Sequence, residues 1–385
     1  MAYNFCLHSK VMRDFVQEHF ADIRAPFTAG IELTAKCNFT CVHCYCRPER
    51  GHDDLTTEEV KKYIDILVDR GLLELFFTGG EVFTRKDFDE IYIYAKKKGL
   101  LVSVLSNISL LDQHHIDLFK QYPVSQISTT MYGASEETYQ RVTGVKGGYE
   151  KFMNALYLLK ENEIPFELKF IAMQQNIEDI YKVRSLGNSL GVNMVIGFDV
   201  RPMVNGDMQP VEFRVSAEKA FEFDIKDEAR KEFWTNVARE EVQEQLGFRE
   251  KLIQQRTLNR CLYPCSVAQQ FVFITSNGKM QGCVKTAYNQ YDLRHGNFDE
   301  GWEYLKQNFI DVKATDSFRC LSCDKKKYCE QCTANFVLEY DDPEHIDPFY
   351  CKVASMRKEF IDSERQKMIS NSLQNENTSK KSERL

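Results

Sequence analysis

The chain has no run of about 18 apolar residues, so no stretch of it reads as a membrane-crossing helix. It has no excess of positive charge either. Lys and Arg number 50 against 57 Asp and Glu, a formal net charge of -7, which argues against a broad nucleic-acid surface. The opening residues, MAYNFCLHSKVMRDF, contain no apolar stretch of the kind a secretory signal needs. No internal repeat is present. What remains is a globular chain with the cytoplasm as its default location, and its 385 residues suffice for one large domain plus a smaller one.

One further absence organises the rest. Thirteen cysteines are many for a reducing compartment, yet none falls between positions 46 and 261. Two cysteine-bearing regions are therefore separated by a long ordinary stretch. In such a compartment, clustered thiols more often bind metal than form disulfides.

From Gly30 to Val200, short apolar runs alternate with amphipathic ones. GIELT (30–34), LLELFFTG (72–79), LLVSVLS (100–106), SQISTTM (125–131), FELKFIAM (166–173) and NMVIGFDV (193–200) read as strands. Helical patterns lie between them, one opening at Thr56 or Thr57 and stopping at Gly71. Strand-then-helix units in series imply a parallel sheet with right-handed crossovers, and an α/β partial (β/α)6 barrel suits them. The expected organisation is an arm at 1–26, the barrel at 27–200, a charged helical connector at 201–258, a small metal-organised domain at 259–360, and a disordered tail at 361–385, which is polar and aperiodic.

Cys37, Cys41 and Cys44 form C-x3-C-x2-C directly after the first expected strand. In a parallel barrel, the loops after strand C-termini build the active face. Three thiolates leave one corner of an iron–sulfur cube without a protein ligand. A structural zinc site with His43 as fourth ligand is the bland alternative, although adjacent residues such as His43 and Cys44 rarely ligate one ion. Cys46 and Cys6 read as packed thiols.

This motif in this place resembles the radical S-adenosylmethionine (radical SAM) superfamily. The resemblance implies a [4Fe–4S] cluster whose open iron is chelated by SAM. Reductive cleavage then gives a 5′-deoxyadenosyl radical that abstracts a substrate hydrogen. It further implies cofactor contacts at Gly79, Gly80 and Glu81, where Val82 replaces the usual proline. Arg141 falls where the family pairs a guanidinium with the SAM carboxylate. Ser106, Asn107, Ser128 and Asn176 fall at further contact positions.

The C-terminal cysteines, at 261, 265, 283, 320, 323, 329, 332 and 351, resemble the SPASM domain, which carries two auxiliary [4Fe–4S] clusters. By that resemblance, Cys261, Cys265, Cys283 and Cys332 hold one cluster, and Cys320, Cys323, Cys329 and Cys351 hold the other. Two residues, not the usual three, separate Cys329 and Cys332. Zinc knuckles are the alternative reading of the C-x2-C pairs.

The family context implies an oxidoreductase acting on a ribosomally made peptide or protein, with an electron donor such as flavodoxin or ferredoxin. The sulfatase-maturing reaction is disfavoured, because Val284 and Lys285 follow Cys283 where that type carries an Asp. Only about 26 residues precede the barrel, too few for a peptide-recognition module, so a leader peptide would need a separate binding protein or would bind the barrel directly. Tyr132, Asp199 and Arg201, at or after strand ends, are candidates to face substrate or to serve structure. The rival readings are a dehydrogenase or epimerase of a small molecule and a zinc-stabilised binding protein.

Overall fold

The computed structural model describes residues 19–20, 23–47, 53–192, 194–242, 259–263 and 265–382, with side chains to 371. Cys6, most of the expected arm, and residues 243–258 of the expected connector lie outside them. The chain divides into two compact units. The first takes 1–214, 265–312 and 337–341, and the second takes 215–264, 313–336 and 342–385.

The first unit holds the parallel strands β1 (Thr28–Thr34), β2 (Glu74–Gly79), β3 (Leu101–Leu105), β4 (Gln126–Thr130), β5 (Phe166–Ile171) and β6 (Met194–Gly197). Their crossovers carry α1 (Thr57–Asp69), α2 (Phe88–Lys97), α3 (Gln113–Gln121), α4 (Glu136–Thr143), α5 (Gly148–Glu161) and α6 (Ile180–Leu190). The start and stop expected of α1 are both present. Thr56 and Glu59 form a capping box, and Gly71 lies just past the end at φ 92°. α1 buries Val60, Tyr63, Ile64 and Leu67, a spacing that puts them on one face.

Strand register sorts the barrel's two faces. Ala29, Ile31, Leu33, Leu75, Phe77, Val102, Val104, Leu168 and Phe170 share the face that the helices cover, and all are buried. The opposite face aligns Glu32 with Thr78, Ser103 with Gln126, and Ser128 with Glu167. These six residues are buried as well, so the concave side is polar although closed.

The expected 259–360 domain is not one body. Its run QFVFIT supplies β7 (Phe271–Ile274), which pairs in parallel with β1 and belongs to the first unit. β8 (Lys279–Gln281) and β9 (Gln290–Asp292) follow antiparallel, giving a sheet ordered β6-β5-β4-β3-β2-β1-β7-β8-β9. Gly30 permits this join. A Cβ there would stand 2.4 Å from the Phe76 ring and 2.6 Å from Phe273. Phe76 stacks at 5.9 Å on Phe271 across the strand between them.

In the second unit, α7 (Ala217–Lys226) and α8 (Glu228–Val242) pack with the long helix α9 (Pro348–Ser382). Trp234, Ala238, Tyr328, Ala354 and Ile361 form its core. Beside them Arg357, 2 % exposed, donates to Asp224 at 2.6 Å and to the Tyr328 carbonyl at 3.1 Å, and stacks on Trp234 at 4.7 Å. The tail expected to be disordered continues α9 to Ser382. No Pro or Gly interrupts the stretch after 348, and its Glu, Lys, Gln and Arg are good helix formers even without an apolar stripe.

Candidate cofactor and metal sites

The C-x3-C-x2-C loop leaves the C-terminal end of β1 and is held by backbone bonds. Thr40 N and Val42 N donate to the carbonyls of Thr143 and Val142, both at 2.9 Å, and Cys44 N donates to Cys41 O at 3.1 Å. The loop therefore rides on the last turn of α4, the helix that carries Arg141. Gly144 ends that helix at φ 73°, where a Cβ would meet Thr40 Oγ1 at 2.2 Å. Only glycine fits both the left-handed turn and the close loop. Arg47 clasps the loop from below, its Nη2 2.6 Å from Cys41 O. Phe39 N donates to Cys37 Sγ at 3.3 Å, a bond that favours the thiolate. Cys46 is buried, its sulfur 3.6 Å from that of Cys44.

Gly79 and Gly80 bring the end of β2 against this loop. A Cβ on Gly79 would lie 2.2 Å from Thr34 O, and one on Gly80 would lie 2.2 Å from Lys36 O. Gly80 N and Glu81 N donate to those two carbonyls at 2.8 Å. The Glu81 carboxylate turns inward and is wholly buried. It accepts from Ser106 Oγ and Asn107 N at 2.7 Å and from Phe83 N at 3.1 Å. Burial raises it to about 7, against the pull of those three donors. Val82, where the family has proline, is buried in the short turn that follows.

The other expected contact residues divide in the same way. Asn107 Nδ2 lies 2.9 Å from Asn38 Oδ1 and 3.9 Å from Cys37 Sγ, at the cysteine loop itself. Ser128 Oγ donates at 2.9 Å to Glu167, which also pairs with Lys169 at 3.4 Å inside the barrel. Asn176 binds Met173 N and the carbonyls of Tyr132 and Ile171, clipping the ends of β4 and β5 together. Arg141 is exposed and donates to Gln175 O at 3.0 Å and Thr138 Oγ1 at 3.3 Å. Sequence reasoning missed Glu167 and Lys169. A charged pair spaced i, i+2 within the fifth expected strand was the available signal.

Four buried polar atoms near the loop make no hydrogen bond: His43 Nδ1, Arg47 Nε, Tyr139 OH and Arg201 Nη1. Burial, with Arg47 adding to it, lowers His43 to about 4, so its imidazole is neutral. Buried orphans of this kind call for an explanation, and a bound polar group supplies one. With three thiols and a glycine cradle beside them, the residues fit a cluster and its small-molecule ligand.

In the second unit, Cys320, Cys323, Cys329 and Cys351 line a single cavity with Lys326 and Tyr350. Short turns place the first three, and Cys351 stands on the first turn of α9, its N–H bonded to Asp347 O at 3.1 Å. Burial pushes Cys320 up to about 11 and Cys329 to about 12. Thiols held so high give up their protons only to a strong partner charge, such as a metal. Gln331, not Cys332, lines this cavity. Cys265 and Cys283 belong to the first unit, Cys261 and Cys332 to the second.

Residues 31–187 match the family model of the radical SAM superfamily. An AdoMet-dependent heme synthase of Methanosarcina barkeri is 26 % identical over 85 % of this chain and 96 % of its own length. The antilisterial bacteriocin subtilosin biosynthesis protein AlbA of Bacillus subtilis is 32 % identical over 42 % of this chain, which spans only 38 % of that relative. Among solved structures, Streptococcus suis SuiB bound to precursor peptide SuiA superposes with a TM-score of 0.65 at 15 % identity, over 89 % of this chain and 80 % of that one. Among the described residues no helix is long and apolar enough to cross a membrane.

Proposed function

We propose that the chain is a radical SAM enzyme with a C-terminal region of the SPASM type, and that it oxidatively modifies a ribosomally made peptide, forming a thioether or carbon–carbon crosslink or an oxidised residue. Its cofactors are SAM and [4Fe–4S] clusters, one binding SAM and two auxiliary. Together, SAM and its cluster supply hydrogen-atom abstraction after one-electron reduction. The chain's own residues do the rest. Cys37, Cys41 and Cys44 hold the cluster at three corners, Gly79 and Gly80 let backbone approach the ligand, and Arg141 offers a guanidinium to its carboxylate. Cys320, Cys323, Cys329 and Cys351 hold one of the auxiliary clusters.

The observation that carries this reading is the three-thiol loop at the end of β1, with the Gly79–Gly80 turn bonded against it. The choice of a peptide rests on the barrel's likeness to the subtilosin biosynthesis protein. Flavodoxin or ferredoxin is the proposed electron donor. One observation favours a second reading. The heme synthase is matched over nearly its whole length, which points to a tetrapyrrole or another small molecule.

Anaerobic reconstitution separates the readings. The holoenzyme is expected to be brown and to form 5′-deoxyadenosine with SAM and dithionite. Mass spectrometry after incubation with any short peptide encoded beside its gene, or with iron-coproporphyrin, identifies the substrate class. A colourless, zinc-bearing protein that leaves SAM intact sinks both readings.

A further inference from the structure

The C-terminal end of β1 is irregular. Glu32 pairs with Thr78 and Thr34 with Gly79, so the register steps over Leu33 and two residues of β1 advance against one of β2. A bulge of this kind takes backbone donors out of the ladder. Here one side chain collects them. Asp54 accepts from Ala35 N at 3.0 Å through Oδ1 and from Thr34 Oγ1 at 2.7 Å through Oδ2. Thr34 Oγ1 accepts in turn from Lys36 N at 3.1 Å. The Lys36 ammonium, exposed and 4.0 Å from Asp54, adds little.

The same three residues carry both halves of the candidate cofactor site. Gly80 N and Glu81 N donate to Thr34 O and Lys36 O, and Cys37 comes next in the chain. The amides of 35 and 36 are thus committed to Asp54 and Thr34, while the carbonyls of 34 and 36 receive the glycine turn. Asp54 is itself fixed from behind. Leu55, which is buried, donates its N–H at 2.6 Å to the carbonyl of Ser276, just past β7, and Ser276 N donates to Glu32 at 3.0 Å. A carboxylate placed after the cysteine motif therefore reaches back to hold the point where that motif begins.

We propose that Asp54 is a positioning residue for SAM, which fixes the β1 bulge and so sets the cysteine loop in register with the Gly79–Gly80 turn. The inference rests on the radical SAM reading of that loop. It adds a residue that acts through backbone rather than by contact. Cys37, Cys41 and Cys44 hold a cluster without its help. What its removal costs is the alignment of one half of the site with the other.

Reconstituted wild type, Asp54→Ala, Asp54→Asn and Thr34→Val are compared in two ways. One is equilibrium dialysis with radiolabelled SAM. The other is the change that SAM makes in the electron paramagnetic resonance spectrum of the reduced holoenzyme. Asp54→Ala is expected to keep its iron and to raise the Kd for SAM roughly 10-fold, the lower end of what a charge-assisted hydrogen bond is worth. Asp54→Asn recovers most of that loss, because its amide oxygen still accepts from Ala35 N and its amide nitrogen can donate to Thr34 Oγ1. Thr34→Val removes the hydroxyl at similar shape and falls between wild type and Asp54→Ala. It decides the matter should Asp54→Ala fail to fold. A residue that served the fold alone would lower the melting temperature and leave the Kd where it was. The proposal is overturned if Asp54→Ala or Thr34→Val binds SAM as wild type does, if Asp54→Asn is no better than Asp54→Ala, or if iron is lost in step with SAM binding. If wild type itself binds no SAM and its spectrum does not respond, the radical SAM reading has failed instead.

Discussion

Both units present cysteines, but they present them differently. The first offers three on a loop pinned to a strand end and a helix end, with unbonded polar atoms of His43, Tyr139 and Arg201 around it. The second offers four around one cavity, among Phe336, Tyr350 and Ala354. A set of three with polar company leaves room for a reacting ligand. A set of four in partly apolar company encloses what it holds. Under the proposed reading the contrast is one of open against closed coordination, drawn by the same residue type.

Substituting Cys41 by Ala tests that contrast most severely. SAM cleavage should fall to background while the protein stays folded, with about four of about twelve irons lost. Persisting 5′-deoxyadenosine would mean the open site lies elsewhere. Cys329→Ala should do the reverse, losing a similar share of iron and part of the thermal stability while SAM cleavage continues. Loss of SAM cleavage in that variant would contradict the separation of roles.

Arg357→Met probes the frame behind the closed set. It leaves Asp224, which is fully buried, short of one partner, at a cost of about 3–5 kcal/mol. The melting temperature should drop accordingly with substrate-free SAM cleavage intact at low temperature. An unchanged melt would show the network to be idle.

Glu81→Gln gives the smallest and most pH-dependent effect. Burial raises Glu81 from an ordinary 4.5 to about 7, so between those values the fold binds a proton that the unfolded chain releases. Its contribution is full at low pH and is lost as pH rises through 7. Measured without SAM, the stability of wild type relative to the variant should decline across that window by about 1–3 kcal/mol. A flat difference would mean that Glu81 is ionised throughout.

Much of this architecture was legible in the chain. The six expected strands reappear as β1 to β6, within a few residues at each end, because buried parallel strands are near-continuous apolar runs. QFVFIT was visible too, but nothing local says that it returns to β1 rather than founding its own sheet. The thiol spacing was plain. The partners of Ser128 and Asn176 were not, since Glu167 lies 39 residues from Ser128 and the Tyr132 carbonyl 44 from Asn176. Hydroxyls and amides at strand ends look alike in sequence whether they face a ligand or knit strands together. The helix after Asp362 was missed because its polarity suggested disorder, while its freedom from Pro and Gly argued the other way.

The return of β7 to β1 has a consequence for synthesis. β1 is made early, yet its second neighbour ends at Ile274, 240 positions after Thr34. At about 5–20 residues per second, translation leaves that edge unpaired for roughly 12 to 50 seconds. A growing polypeptide stopped after residue 214 would keep an apolar parallel edge exposed for good, a ready template for aggregation. The ribosome must therefore deliver the cysteine-rich segment before the barrel that precedes it is safe.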